Sequence, residues 1–209
     1  MQRLLILSCF CFLLLDIASP AAKAQFYIGV QGGANFAADS DVDGNGIDGE
    51  GSFDAGYAVG GALGYRFDLA DSLALDAEGS FTYRNNDVDA FSAAGFADVS
   101  GGDSQSFAWM ANLWLNWRLG NSGFAPYIGG GFGGVHLDID DAQAGSVALD
   151  HESAFMLGGQ LGAGLGYQLG EHVVLSLDYR FLITEDADMN GLDIGYQTHA
   201  AMVEVKYLF

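Results

Sequence analysis

The chain has 209 residues and carries 27 acidic against 7 basic side chains, a net charge of −20, while half of it is hydrophobic. That balance argues against a nucleic-acid partner, because phosphates require a basic face. Beyond the first residues, no run approaches the roughly 18 apolar residues of a membrane helix.

The N-terminus reads as an export signal. Met1-Gln2-Arg3 is a basic start, Leu4 to Leu15 is apolar, and Ala22-Lys23-Ala24 supplies an A-x-A site. Residues 1–24 are therefore expected to be a cleaved signal peptide and residues 25–209 the mature domain. Cys9 and Cys11 are the chain's two cysteines, and both fall in this segment. The mature part then has no disulfide framework, no thiolate metal site and no cysteine nucleophile. Signal and cysteine usage together point outside the cytoplasm.

Residues 26–35 look strand-like but alternate weakly. The next segment, residues 39–50, reads DSDVDGNGIDGE, with acids at loop positions 1, 3, 5 and 12 and glycine at 6. This is the ligand spacing of a calcium loop. Position 8 is Gly46, where the helix–loop–helix calcium motif has Ile or a similar residue, and strands rather than helices are expected on both sides. The expectation is a solvated acidic loop in which Asp39, Asp41, Asp43 and Glu50 form a weak calcium site at most. No other cofactor is expected.

From residue 57 onward a period of two dominates. Residues 57–67 place Tyr57, Val59, Leu63, Tyr65 and Phe67 on one face, with small residues and Arg66 on the other. In residues 72–84, SLALDAEGSFTYR, the apolar set Leu73, Leu75, Ala77, Phe81, Tyr83 alternates with Asp76, Glu78, Ser80, Thr82, Arg84. Residues 107–119 alternate Phe107, Trp109, Leu113, Leu115, Trp117 with Met110, Asn112, Trp114, Asn116, Arg118. Residues 124–138 carry too many glycines to assign their faces. Residues 155–169, 173–183 and 201–209 alternate again, with Asp178, Arg180, Glu204 and Lys206 on polar faces. The expected links are short near 68–71, 120–123 and 170–171, and long at 36–54, 85–105, 139–152 and 185–197.

These are eight strands, an even number, in an apolar, acidic, glycine-rich and helix-poor chain. The expected fold is all-β, an eight-stranded antiparallel transmembrane up-and-down β-barrel, with the apolar faces toward lipid and the polar faces lining the lumen. All five basic residues after Ala24 fall on polar alternate faces. Trp109 and Trp117 lie eight residues apart on one face, roughly 26 Å along a strand or roughly 20 Å of membrane depth when tilted, as two aromatic girdles require.

The strand VEVKYLF, ending in Phe209, resembles the C-terminal signal of Gram-negative outer-membrane proteins. With GYRF (64–67), PYIGGGFG (126–133) and LGAGLGYQL (161–169), the chain resembles the outer-membrane β-barrel family of small porin-like and surface-antigen barrels, similar to the transmembrane domain of outer-membrane protein A. The resemblance implies outer-membrane lipid as the surroundings and the barrel-assembly machinery as a partner of the strand ending in Phe209. It leaves any extracellular ligand unnamed.

Two interiors are open. One is plugged by a charge network of Arg66, Asp76, Glu78, Arg84, Arg118, Asp178, Arg180, Glu204 and Lys206, with Arg66 reaching Asp76 across a short turn. If the last hairpin is symmetric about its loop, Asp178 faces about residue 204 and Arg180 about residue 202. Arg180–Glu204 and Asp178–Lys206 are then near-diagonal pairs. The other interior is a narrow small-solute pore, made roomier by lumenal glycines and alanines. A lipid-modifying enzyme is the third reading. It is disfavoured because none of His136, His172 and His199 has a serine within two residues, and His151 lies at an expected loop position rather than on a strand face. No catalytic residues are expected.

Overall fold

The computed structural model describes residues 24–37, 40–44, 47–53, 55–93, 103–140, 143–144, 147–148, 152–185, 187–189, 192–194 and 196–209. The signal-peptide expectation thus lies almost wholly outside the described residues, as do Asp39 and His151. Eight long strands form the body: β1 (Ala24–Ala37), β2 (Ala55–Ala70), β3 (Leu73–Ala93), β4 (Asp103–Trp117), β5 (Phe124–Asp140), β6 (Glu152–Leu169), β7 (Val173–Thr184) and β8 (Gln197–Leu208). Each pairs antiparallel with its sequence neighbours, and β1 pairs with β8 to close the ring.

The register fixes the size of that ring. Across neighbouring strands, Phe26 leads to Tyr65, Ala77, Leu113, Gly130, Leu161, Phe181 and His199, and the circuit returns to β1 at Phe36, ten residues further on. With eight strands and ordinary strand spacings, this stagger gives a tilt of about 40° and a backbone radius of about 8 Å. Such an interior is just wide enough to be filled by side chains.

Alternation decides what faces where. Along β8, buried Thr198, Ala200, Met202, Glu204, Lys206 and Leu208 alternate with exposed or half-exposed partners such as Val203, Val205 and Tyr207. The outer surface is apolar and the interior polar, the reverse of a soluble sandwich. Exposed rings and side chains such as Leu161 (66%) and Phe132 (73%) would be costly in water and are at home in lipid. The two strands that resist sequence assignment resolve in the same way. On β1, Tyr27, Gln31 and Asn35 point inward and Ile28, Val30 and Phe36 outward. On β5, Tyr127, Val135 and Leu137 point inward and Ile128 and Phe132 outward.

Rings on the outer surface gather into two belts. Near the short turns, Phe26 meets Tyr65 and Phe209, Phe124 meets Tyr167, and His172 stacks on Tyr207. Toward the other end, Tyr83 lies 4.9 Å from Phe107, Phe81 5.9 Å from Trp109, and Phe181 4.9 Å from His199.

One end carries tight turns. Gly120, Gly123 and Gly170 adopt φ of 55°, 78° and 79° there, a region that favours glycine. The other end differs from the expected plain loops. Residues 36–54 contain a β-hairpin, Ser40–Gly44 paired with Ile47–Phe53, and its second arm pairs with the end of β3. β3 runs to Ala93 and β4 starts at Asp103, so the expected loop at 85–105 is largely strand. Leu192–Ile194 adds to the hairpin's free edge, and Ala187–Met189 adds to it in turn. This end of the barrel continues into a small sheet because pairing across two connections satisfies backbone groups that a loop would leave to water.

Candidate functional site

The period-two faces of β2, β3, β7 and β8 bring charged side chains into the lumen. Among the described residues, Arg66, Arg84, Arg180 and Lys206 are there with Asp76, Glu78, Asp178 and Glu204. A guanidinium or carboxylate in such a place has to find a partner.

Glu78 is the hub. Its Oε2 accepts from Lys206 Nζ at 3.0 Å and from the Tyr27 hydroxyl at 3.0 Å. Its Oε1 accepts from Trp114 Nε1 at 3.0 Å and from Asn112 Nδ2 at 3.2 Å. Asn112 donates also to Ser80 Oγ, and its own carbonyl accepts from Gln160 Nε2 at 2.6 Å. Lys206 Nζ further lies 3.5 Å from Glu204 and 3.9 Å from Asp76, and 4.8 Å from the Tyr27 ring centroid. Arg66 grips Asp76 with two parallel hydrogen bonds of 2.7 Å. This fork-on-carboxylate geometry is the strong form of the interaction.

The second arm runs through Arg180. Its Nε donates to Asp178 Oδ1 at 2.7 Å and its Nη2 to Glu204 Oε2 at 3.4 Å, while its guanidinium sits 5.4 Å from the Trp114 ring centroid. Asp178 also accepts from the Tyr127 hydroxyl at 2.9 Å. The structure thus brings together Arg66 with Asp76, and Arg180 with Glu204. It does not pair Asp178 with Lys206. The β7–β8 register differs by two residues from a hairpin symmetric about its loop: Asp178 lies opposite Met202 and Arg180 opposite Ala200. Lys206 accordingly turns across the lumen to carboxylates on β3.

Two of the expected network residues sit elsewhere. Arg118 is at the rim by the short turns, a third exposed, and its Nη2 bonds to Asp68. Arg84 is buried, and its Nε and Nη1 have no hydrogen-bond partner.

Sequence reasoning misses the neutral donors. Asn112 and Trp114 share a phase with Arg118, which is a usable signal for a lumenal position. Tyr27 and Tyr127 lie in the two strands whose alternation is blurred. The lumenal glycines also act differently from expectation: they admit large rings rather than leave space. A methyl group on Gly129 would come 2.6 Å from Trp114 Cε3, one on Gly64 2.7 Å from the Tyr27 hydroxyl, and one on Gly164 2.5 Å from Tyr127 Cζ. A cavity of about 410 Å³ opens at the short-turn end beneath this layer, lined by Arg66, Asn116, Arg118, Gln168, Ser176 and Lys206.

The acidic segment of residues 39–50 lies on the hairpin at the opposite end. Its backbone register sets Asp41 opposite Glu50 and Asp43 opposite Asp48. Asp193 lies opposite both Asp43 and Asp188, so Asp188, Asp193, Asp43 and Asp48 fall in one row across four strands. The described histidines are scattered. His136 Nε2 is 3.3 Å from Asp138, His172 Nδ1 is 2.9 Å from the Leu208 carbonyl, and His199 bonds to the Tyr179 hydroxyl.

The family model for the outer membrane protein beta-barrel domain matches residues 7–209. Among solved structures, Neisserial surface protein A is similar at a TM-score of 0.55 and 16% identity, over 90% of this chain and 99% of that one. The outer membrane protein OprG from Pseudomonas aeruginosa is similar at a TM-score of 0.45 and 17% identity, over 90% and 97%. The outer membrane protease OmpT from Escherichia coli is similar at 0.49 and 9%, over 91% and 98%. At these identities the likeness concerns the fold alone. No curated protein matches the sequence significantly.

Proposed function

Because this chain belongs to the outer membrane protein beta-barrel domain family, we propose that it is a closed barrel of the bacterial outer membrane with a structural and surface-interaction role, non-enzymatic, that presents its acidic connections to the outside. In this reading residues 1–24 are removed on export, and the short turns face the periplasm. The observation that carries the closed state is the Glu78 hub. Four donors from β1, β4 and β8 converge on one carboxylate and tie the lumen across its width. Phe209 supports a role for the last strand in assembly: its N–H donates to the Phe26 carbonyl at 2.9 Å, and its ring packs on Phe26 at the seam.

Planar-bilayer conductance of the refolded mature protein tests the closed state. Silence from a barrel that still migrates with heat-modifiable mobility supports it. Discrete openings overturn it in favour of a small-solute channel.

A second reading concerns Asp39, Asp41, Asp43 and Glu50 as a weak calcium site. The backbone register that sets Asp41 opposite Glu50 favours it, since like charges directly opposite one another destabilise a sheet and a divalent cation relieves them. A rise in unfolding midpoint with millimolar calcium that magnesium-free, calcium-free buffer abolishes, and that Asp43→Asn reduces, supports that reading. An unchanged midpoint removes it.

A further inference from the structure

Three cations meet at one cavity. The space of about 410 Å³ at the short-turn end is lined by Arg66, Arg118 and Lys206, and among the described residues no carboxylate side chain lines it. The chain carries a net charge of −20, yet the charge on this wall is positive. The acids that neutralise Arg66 and Lys206 are sealed more deeply than the cations. The side chains of Asp76, Glu78 and Glu204 are 0–1% exposed, against 11% for Arg66 and 7% for Lys206. Arg118 is a third exposed and is held at the rim by Asp68.

Both guanidinium groups have donors to spare. Each carries five N–H groups in a fixed fork. Arg66 spends two on Asp76, and Arg118 spends two on Asp68 and the Asp71 carbonyl. Unlike those of Arg84, none of their nitrogens is both buried and without a partner. Lys206 Nζ, within 4 Å of three carboxylates, adds charge rather than a free donor. The two guanidinium groups also enter from different places. Arg66 lies opposite Asp76, Asp76 lies opposite Trp114, and Arg118 is four residues further along that strand. Ala74, Ala125 and Val174 give the same wall an apolar part. The volume falls within the roughly 300–1,000 Å³ of ligand pockets, and the Glu78 layer makes the space a dead end rather than a passage.

We propose that this cavity binds a short organic dicarboxylate. One carboxylate accepts from Arg66 and the other from Arg118, a pairing that the planar fork of a guanidinium favours. The carbon skeleton between them lies on the apolar part of the wall. Two separated cations select a ligand with two separated charges, and the apolar part selects carbon over a bare ion. The acids already bonded to both cations offset part of their charge, so the affinity is modest. With the short turns toward the periplasm, as in the functional reading above, the ligand is a periplasmic solute that is held and not conducted.

The test uses the refolded full barrel in non-ionic detergent at constant ionic strength, with succinate as the probe. Saturation-transfer NMR on the succinate methylene signal and the unfolding midpoint are the two readouts. The expected result is saturable transfer and a midpoint that rises with succinate, with no response to the neutral diamide. Arg118→Gln changes a part-exposed rim residue and leaves the barrel folded, and it weakens succinate binding about tenfold, the scale of one charge-assisted hydrogen bond. Arg118→Lys keeps the charge without the fork and recovers part of that loss. No saturable transfer in the wild type overturns the proposal, as does binding that persists unchanged in folded Arg118→Gln. Inorganic phosphate that competes as well as succinate overturns the assignment to an organic diacid.

Discussion

The two halves of the lumen are built on opposite terms. Toward the short turns, Arg66, Asp76, Glu78, Lys206, Asp178 and Arg180 are each held by at least one charged partner, aromatic donors add to Glu78 and Asp178, and one oxygen of Glu204, Oε1, is left without a partner. Toward the long connections, Arg84, Asn35 and Thr198 keep buried polar atoms without partners. The same ring of eight strands therefore supports a densely paired layer and a sparsely paired one. The difference lies in which side chains alternate inward at each depth. Satisfied buried networks rigidify, while unpaired buried polar groups cost stability.

Breaking the satisfied half should have the largest effect. Glu78→Ala leaves Lys206 short of its nearest carboxylate and removes the acceptor of Tyr27, Trp114 and Asn112. A loss of about 3–5 kcal/mol is expected, the scale for removing one member of a buried pair. It is read from the urea midpoint at which heat-modifiable mobility disappears. A loss below about 1 kcal/mol would mean that the hub is not structural.

Next in size is a charge placed on the other face of the same wall. Leu161→Arg puts a guanidinium on the lipid surface at mid-strand and is expected to cost about 2–4 kcal/mol in bilayers. The cost should shrink when folding is measured in a short-chain detergent. An equal cost in both would contradict the lipid-facing assignment.

Overpacking sharpens the comparison from inside. Gly164→Val forces Tyr127 and Asp178 to move and should cost about 1–3 kcal/mol. A neutral outcome would mean that the ring is not seated over the glycine. The smallest effect is expected at the rim, where Arg118→Gln breaks a part-exposed pair with Asp68 worth about 0–1 kcal/mol, and less at high salt.

The barrel itself is legible in the sequence because alternation is a local property. SLALDAEGSFTYR displays both its faces without reference to any neighbour. Residues 124–138 do not, since glycine at Gly129, Gly131 and Gly133 inside and at Gly130 and Gly134 outside removes the contrast. The network is legible only as a set of inward positions. Glu78 and Lys206 lie on strands separated by two others, and the stagger of the whole ring decides that they meet. Within one hairpin, a shift of one residue in the centre of the loop moves the register by two and separates Asp178 from Lys206. The outer sheet is hidden for a related reason: the hairpin of residues 40–53 pairs with strands from other connections, and no local pattern announces a partner that far away in sequence. Arg84 looks like any other inward cation in the sequence, and only its surroundings set it apart.

The seam between β1 and β8 has a consequence for how the molecule comes to exist. Tyr27 lies opposite Leu208, so the contact that completes the ring joins nearly the two ends of the domain. Until it forms, β1 and β8 each present a row of bare N–H and C=O groups, which hydrocarbon does not tolerate. Entry into the bilayer and closure are thus bound into one event, slow because its final contact is the most distant one along the chain. The membrane receives this barrel whole or not at all.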